Sequence, residues 1–235
     1  MHENPRATPR IWQPDWLVLR GMAQVLRRVL ADPALTLPGA RVLDFGCGAR
    51  PYERWFAAAG ARYRGADIDG AHEVRIRDDG TLECGDGEYD LVASFQVLEH
   101  VWDLARYLGE ARRALRDDGW LLLSTHGTWL YHPHPGDYRR WTAQGLRREV
   151  EAHGFRLVRM EPVVGPLAWT TVFRSLGTAH VLKKVPARPG AGRSCGGRFQ
   201  RARVAGGSHH AAPDHRRQRL HVYRAVPAHG IARPW

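Results

Sequence analysis

"VLDFGCGARPY" (Val42–Tyr52) decides how this chain is read. Its first half is a short apolar run of the kind buried in a parallel sheet, and its second half is a glycine turn. "YERWFAAAG" follows as a helix, with Pro51 near its first turn and Gly60 as its stop. Gly46 and Gly48 allow the backbone to turn tightly and to come close to a ligand. A dinucleotide fingerprint wants a third glycine, so that helix and strand pack closely against a pyrophosphate, but here the chain has Pro51. Asp44, at the strand tip, adds a negative charge that repels a pyrophosphate and attracts an ammonium group.

The pattern repeats outward from that turn. "RYRGADID" reads as a second strand, "HEVRIR" as a short third and "YDLVASF" as a buried fourth. The strongest helix is "DLARYLGEARRALRDDG", whose Leu104, Tyr107, Leu108, Ala111 and Leu115 share one face; Asp103 caps its start and Gly119 its end. "WLLLST" is a fifth strand. "TAQGLRREVEAHG" is a helix between Thr142 and Gly154, and "FRLVRME" is a sixth strand. Strands alternating with helices predict an α/β fold with a Rossmann-like, doubly wound, mostly parallel sheet. In front of it, residues 14–30 form a basic amphipathic helix that packs on the domain or covers its ligand.

The second strand sharpens the ligand. Asp67 follows Gly48 by 19 residues, about the spacing at which an acid meets a ribose. A ribose with a cationic arm and no pyrophosphate describes S-adenosylmethionine. Taken together, "VLDFGCGARPY", "YRGADID", "EYDLVASFQVLEHV", "ARRALRDDGWLLLST" and "HPGDYRRWT…GLRREVEAHGF" resemble a class I S-adenosylmethionine-dependent methyltransferase. The likeness is to the broad group that holds the quinone-biosynthesis enzymes. It covers about residues 38–160 as five blocks in the family's order. The resemblance implies that Asp44, Gly46 and Gly48 line the methionine moiety and that Asp67 binds the ribose. It implies that Asp79 reaches the adenine amine, with Asp78 competing, and that Gln96 sits beside the cofactor. It also implies a seventh strand antiparallel to the rest. None is in view after "FRLVRME", so that strand is missing or comes from the tail.

Methyl transfer needs alignment and exclusion of water more than protein chemistry. An oxygen acceptor also loses a proton, which a histidine can take. His100, after the fourth strand, and His132, in the loop "HGTWLYHPHPGDYRRW", are the candidate catalytic residues. That loop of sixteen residues is long for a compact domain. Tyr131, His134, Asp137 and Arg140 are its candidate acceptor contacts, unless Asp137 and Arg140 simply pair with each other. No metal is expected, since His132, His134 and Asp137 lack a further ligand. The expected acceptor is a small molecule or a glycan or lipid precursor, methylated on oxygen or carbon. A non-catalytic nucleoside-binding domain remains open, and so, less favourably, does an NAD-dependent oxidoreductase.

Composition excludes other classes. The net charge of +11 suggests a nucleic-acid partner until it is mapped. Residues 1–180 balance 23 Arg with 23 acids, and residues 181–235 carry 12 Lys and Arg against Asp214 alone. No nucleic-acid partner is therefore expected of the body, and the tail lacks the aromatic interleaving that stacks bases. Residues 1–37 read as an N-terminal arm and helix, 38–180 as the methyltransferase-like domain, and 181–235 as a disordered basic tail of the composition an out-of-frame translation would have. Within it only "LHVYRAV" (Leu220–Val226) could be a strand. No transmembrane run or secretory signal is visible, and three cysteines without C-x-x-C spacing suit a reducing, cytoplasmic setting.

Overall fold

The apolar run that leads into the glycine turn is β1 (Arg41–Phe45), at the centre of the sheet. It pairs in parallel with β2 (Arg62–Asp67) on one side and with β4 (Tyr89–Phe95) on the other. The computed structural model describes residues 4–182 and the backbone of 221–227. There, β3 (Val74–Arg75) flanks β2, and β5 (Leu115–Thr125) flanks β4, both in parallel. β7 (His221–Pro227) runs antiparallel between β5 and β6 (Phe155–Pro162). The order β3-β2-β1-β4-β5-β7-β6 is a Rossmann-like, doubly wound, mostly parallel sheet. Chain order reverses between β1 and β4, which is where such sheets open a crevice at the carboxyl ends of their strands.

Alternate residues of a strand face opposite sides, and the core divides accordingly. Leu43, Phe45, Leu121 and Leu123 pack with α3 (Leu104–Ala114) and α4 (Ala143–Ala152). Val42, Leu91, Ala93 and Leu122 pack on the other face with α1 (Trp16–Leu30), α2 (Glu53–Ala58) and α5 (Pro166–Leu182). α1 buries Met22 and Leu26 against this face, so it packs on the domain. Asp103 and Thr142 cap their helices' starts: Asp103 Oδ1 accepts from the Arg106 amide at 2.9 Å, and Thr142 Oγ1 accepts from the Gly145 amide at 3.0 Å. Asp103→Ala is expected to cost about 1 kcal/mol, read as a lower urea midpoint with an unchanged slope.

The structure changes several expected boundaries. α3 stops at Ala114 rather than running to Gly119, because Leu115 already pairs with Tyr89 as the first residue of β5. Leu115 is buried either way, so helical spacing could not separate the two outcomes. The third strand shrinks from "HEVRIR" to Val74–Arg75. The apolar stretch after β6 becomes α5, which extends past residue 180. A seventh strand is present and antiparallel, and the tail supplies it as His221–Pro227. That strand lies one residue along from the stretch Leu220–Val226 named in the tail. For 183–220 and 228–235, the expectation of a disordered tail and the out-of-frame reading lie outside the described residues.

Candidate functional site

At the switch point lies a cavity of about 1040 Å³. A second cavity, of about 520 Å³ near Arg41, Arg62 and Asp90, lies at the amino ends of the strands. The large cavity's floor is the predicted turn: Asp44, Gly46 and Gly48 all line it, joined by Asp67 from the tip of β2. Gly46 and Gly48 both hold positive φ, +86° and +49°, but they serve different ends. A Cβ on Gly46 would lie 2.4 Å from a methyl of Val97, so this glycine lets the β1 and β4 tips meet. A Cβ on Gly48 would meet nothing within 4 Å, so this is the glycine that leaves room for a ligand.

The two acids differ in environment. Asp44 is 2 % exposed; its Oδ2 accepts from the Tyr63 hydroxyl at 2.6 Å, and its buried Oδ1 has no partner among the described residues. Burial disfavours its charge and raises its pKa to about 7, although the Tyr63 bond opposes this. Asp67 spans the turn, its Oδ2 accepting from the Gly48 amide at 2.7 Å. An orphaned buried carboxylate oxygen facing a cavity suits a cationic amino group, and the fit to a sulfonium nucleoside is consistent with Pro51 where a pyrophosphate site wants glycine. Cys47 lies between the glycines, and burial pushes its thiol up to about 12, so it is no nucleophile.

The remaining cofactor candidates also reach the cavity. Asp78 and Asp79 both line it, and Asp79 Oδ1 accepts from the Thr81 amide at 2.9 Å. Gln96 adopts φ +59° and is tied to β5 through its side-chain amide and the Ser124 hydroxyl, 3.0 Å apart. From α1, Val18, Leu19 and Met22 form an apolar wall, so the helix covers the cavity as well as packing on the domain.

The histidine side of the cavity is richer than the sequence suggested. His100 and His132 line it with ring centroids 4.9 Å apart, and Nδ1 of His100 bonds the Gly136 carbonyl. His134 lines it too. Tyr131, Asp137 and Arg140 do not. Tyr131 is 78 % exposed, and Arg140 clamps Asp137, whose carboxyl this pairing holds at about 2. Asp137 also accepts from the His132 amide at 3.0 Å, so the pair shapes the loop rather than facing the acceptor space. Sequence reasoning missed His126, which stacks on Trp129 at 4.9 Å, and both line the cavity. The imidazole lies 3.0 Å from the wholly buried Glu99, whose Oε2 accepts from Thr125 at 2.7 Å. Burial raises the Glu99 carboxyl and holds His126 neutral, pushed down to about 2. The signal was there, since His126 directly follows the fifth strand. Among the described residues, ligand atoms of Glu99, His100 and His132 come within 4.8 Å of one another.

Comparison with known proteins agrees with this geometry. Residues 18–160 match the model of a family described as a methyltransferase domain. A protein of Mycolicibacterium smegmatis named "Probable S-adenosylmethionine-dependent methyltransferase" is 30 % identical over 136 residues, 51 % of this chain and 53 % of that protein. A "Ubiquinone biosynthesis O-methyltransferase" of Burkholderia thailandensis is 29 % identical over 111 residues, 40 % and 47 % of the two chains. The chain thus spans about half the length of these curated relatives. The crystal structure of an S-adenosylmethionine-dependent methyltransferase from Mesorhizobium loti shares the fold, with a TM-score of 0.51, 16 % identity and coverage of 91 % and 98 %. Among the described residues, no helix is long and apolar enough to cross a membrane.

Proposed function

Since this chain belongs to the methyltransferase-domain family, we propose that it transfers a methyl group from S-adenosylmethionine to a small-molecule acceptor, on oxygen or carbon. The observation that carries this reading is the pair of acids flanking the glycine turn, with the unpartnered oxygen of Asp44 buried at the cavity floor. When bound, S-adenosylmethionine supplies a methyl group on a positively charged sulfur. Asp44 attracts the ammonium end of the amino-acid arm, and Asp67 accepts from the ribose hydroxyls. Asp79, with Asp78 beside it, faces the adenine end, and Gln96 holds the β4 tip next to the reacting centre. Val18, Leu19 and Met22 exclude water and, with Trp129, form the apolar half of the acceptor space. His100 and His132 stand where an acceptor proton would leave, and His134 contacts the acceptor at the rim.

Calorimetric titration with S-adenosylhomocysteine and NAD tests this. The expected result is binding of S-adenosylhomocysteine alone, weakened roughly ten- to hundredfold in Asp67→Ala, the scale of hydrogen bonds to a charged group. Binding of NAD alone overturns the reading, and an unchanged affinity in Asp67→Ala overturns the ribose assignment. Release of S-adenosylhomocysteine on adding a library of hydroxylated and activated-carbon acceptors would show transfer. A tight binder that turns over none of them would be a non-catalytic domain.

A further inference from the structure

Tyr63 does not line the cavity, yet it touches the buried carboxylate that does. We propose that Tyr63 is a positioning residue for the cofactor's amino-acid arm: its hydroxyl pins one oxygen of Asp44 and leaves the other aimed at the ammonium group. The assignment rests on the methyltransferase reading and goes beyond the residues which the sequence pattern supplies.

Strand register creates the contact. Tyr63 stands directly opposite Val42 in the parallel β1–β2 pair, and Asp44 is two residues further along β1 on the same face. Such diagonal neighbours are within reach of an aromatic side chain. The phenol donates to Asp44 Oδ2 at 2.6 Å, while Oδ1, on the same buried carboxylate, has no partner among the described residues. Tyr63 is itself held in place. Its ring packs 5.9 Å from Phe56, and the Arg50 guanidinium lies 5.1 Å over its face. Arg50 is anchored in turn by Glu73 at 2.8 Å and Glu53 at 3.4 Å.

The charge state of Asp44 depends on this arrangement. Burial disfavours the carboxylate, and the nearby acids Asp67 and Glu53 push the same way. The Tyr63 hydrogen bond and the Arg50 charge oppose them, leaving a group that ionises at about 7. The phenol therefore helps to keep Asp44 negative at neutral pH, the form that attracts an ammonium. It also orients the carboxylate, because turning the group out of that plane would break the hydrogen bond.

Tyr63→Phe tests this in the full chain and keeps the ring contacts with Phe56 and Arg50. Calorimetry compares S-adenosylhomocysteine with 5′-methylthioadenosine, which has the nucleoside and sulfur but no amino-acid arm. The expected result at neutral pH is roughly ten- to hundredfold weaker S-adenosylhomocysteine binding, with 5′-methylthioadenosine unchanged. Affinity for S-adenosylhomocysteine should rise with pH between about 5 and 7 as Asp44 ionises, before an α-amino group loses its proton at about 8. In Tyr63→Phe that rise should move to higher pH. Equal weakening of both ligands would mean only a distorted sheet and would overturn the assignment, as would an unchanged affinity or an unmoved pH profile. Failure of the unaltered protein to bind either nucleoside would instead overturn the functional reading on which the assignment rests.

Discussion

Gly46→Ala is expected to lower the unfolding free energy by about 2–5 kcal/mol and to abolish tight cofactor binding. Two costs add. A residue with a Cβ pays about 1–2 kcal/mol to hold a left-handed backbone, and Gly46 sits at φ +86°. Forcing extra volume into a filled site costs about 1–3 kcal/mol more. The new methyl would meet two methyls of Val97, at 2.4 and 2.8 Å. Denaturant unfolding separates the terms, because Gly46→Ala combined with Val97→Ala relieves the collision and leaves the backbone strain. The double variant should therefore recover about half of the loss. A Gly46→Ala protein as stable as the unaltered chain would show that the β1 and β4 tips do not meet as described. Gly48→Ala is the contrast: its Cβ meets open space, so the loss should fall more on ligand affinity than on packing.

Glu99→Ala is expected to cost about 1–3 kcal/mol, the scale on which a buried polar group loses its hydrogen-bond partner. Glu99 is fully buried on the short turn after β4. Its removal strands the Thr125 hydroxyl and leaves the buried His126 imidazole without its neighbour 3.0 Å away. Because the His126 ring stacks on Trp129 at the cavity wall, the damage should spread to the acceptor side. Thermal unfolding with S-adenosylhomocysteine present and absent would show a fall in both states, with a comparable stabilisation by the ligand in each. Glu99→Gln retains an acceptor for Thr125 and most of the volume, and should cost far less. A loss in Glu99→Ala no larger than for an exposed acid would show that Glu99, Thr125 and His126 do not act together.

That the glycine turn floors the cavity was legible in the sequence because the turn is local. Strand and turn occupy eleven consecutive residues from Val42, the helix follows at Glu53, and the backbone freedom of two glycines is a property of those residues alone. Asp67 was legible because a βαβ unit has a narrow range of lengths. The histidine side was legible only in part: His100, His132 and His134 line the cavity, but the other loop residues follow a path that depends on contacts elsewhere. Polar residue types drew attention to Tyr131, Asp137 and Arg140, but Arg140 satisfies Asp137 and solvent takes Tyr131. His126, hidden at a strand end, reached the cavity instead. The end of α3 was misplaced for a related reason. Apolar spacing says that Leu115 is buried, but only pairing with Tyr89 says that it is a strand residue.

By itself, the sequence determined an alternating α/β chain, a tight glycine turn followed by Pro51, and two acids at the tips of the first two strands. Each follows from backbone sterics, hydrophobic period or charge, which act over a few residues. Tertiary structure alone decided that Gly46 makes room for Val97 while Gly48 leaves space for ligand. It alone set Tyr63 against Asp44 and drew the seventh strand from the tail to lie between β5 and β6. These depend on which strands are neighbours and in what register, and register is set by the burial of the whole sheet rather than by any one segment.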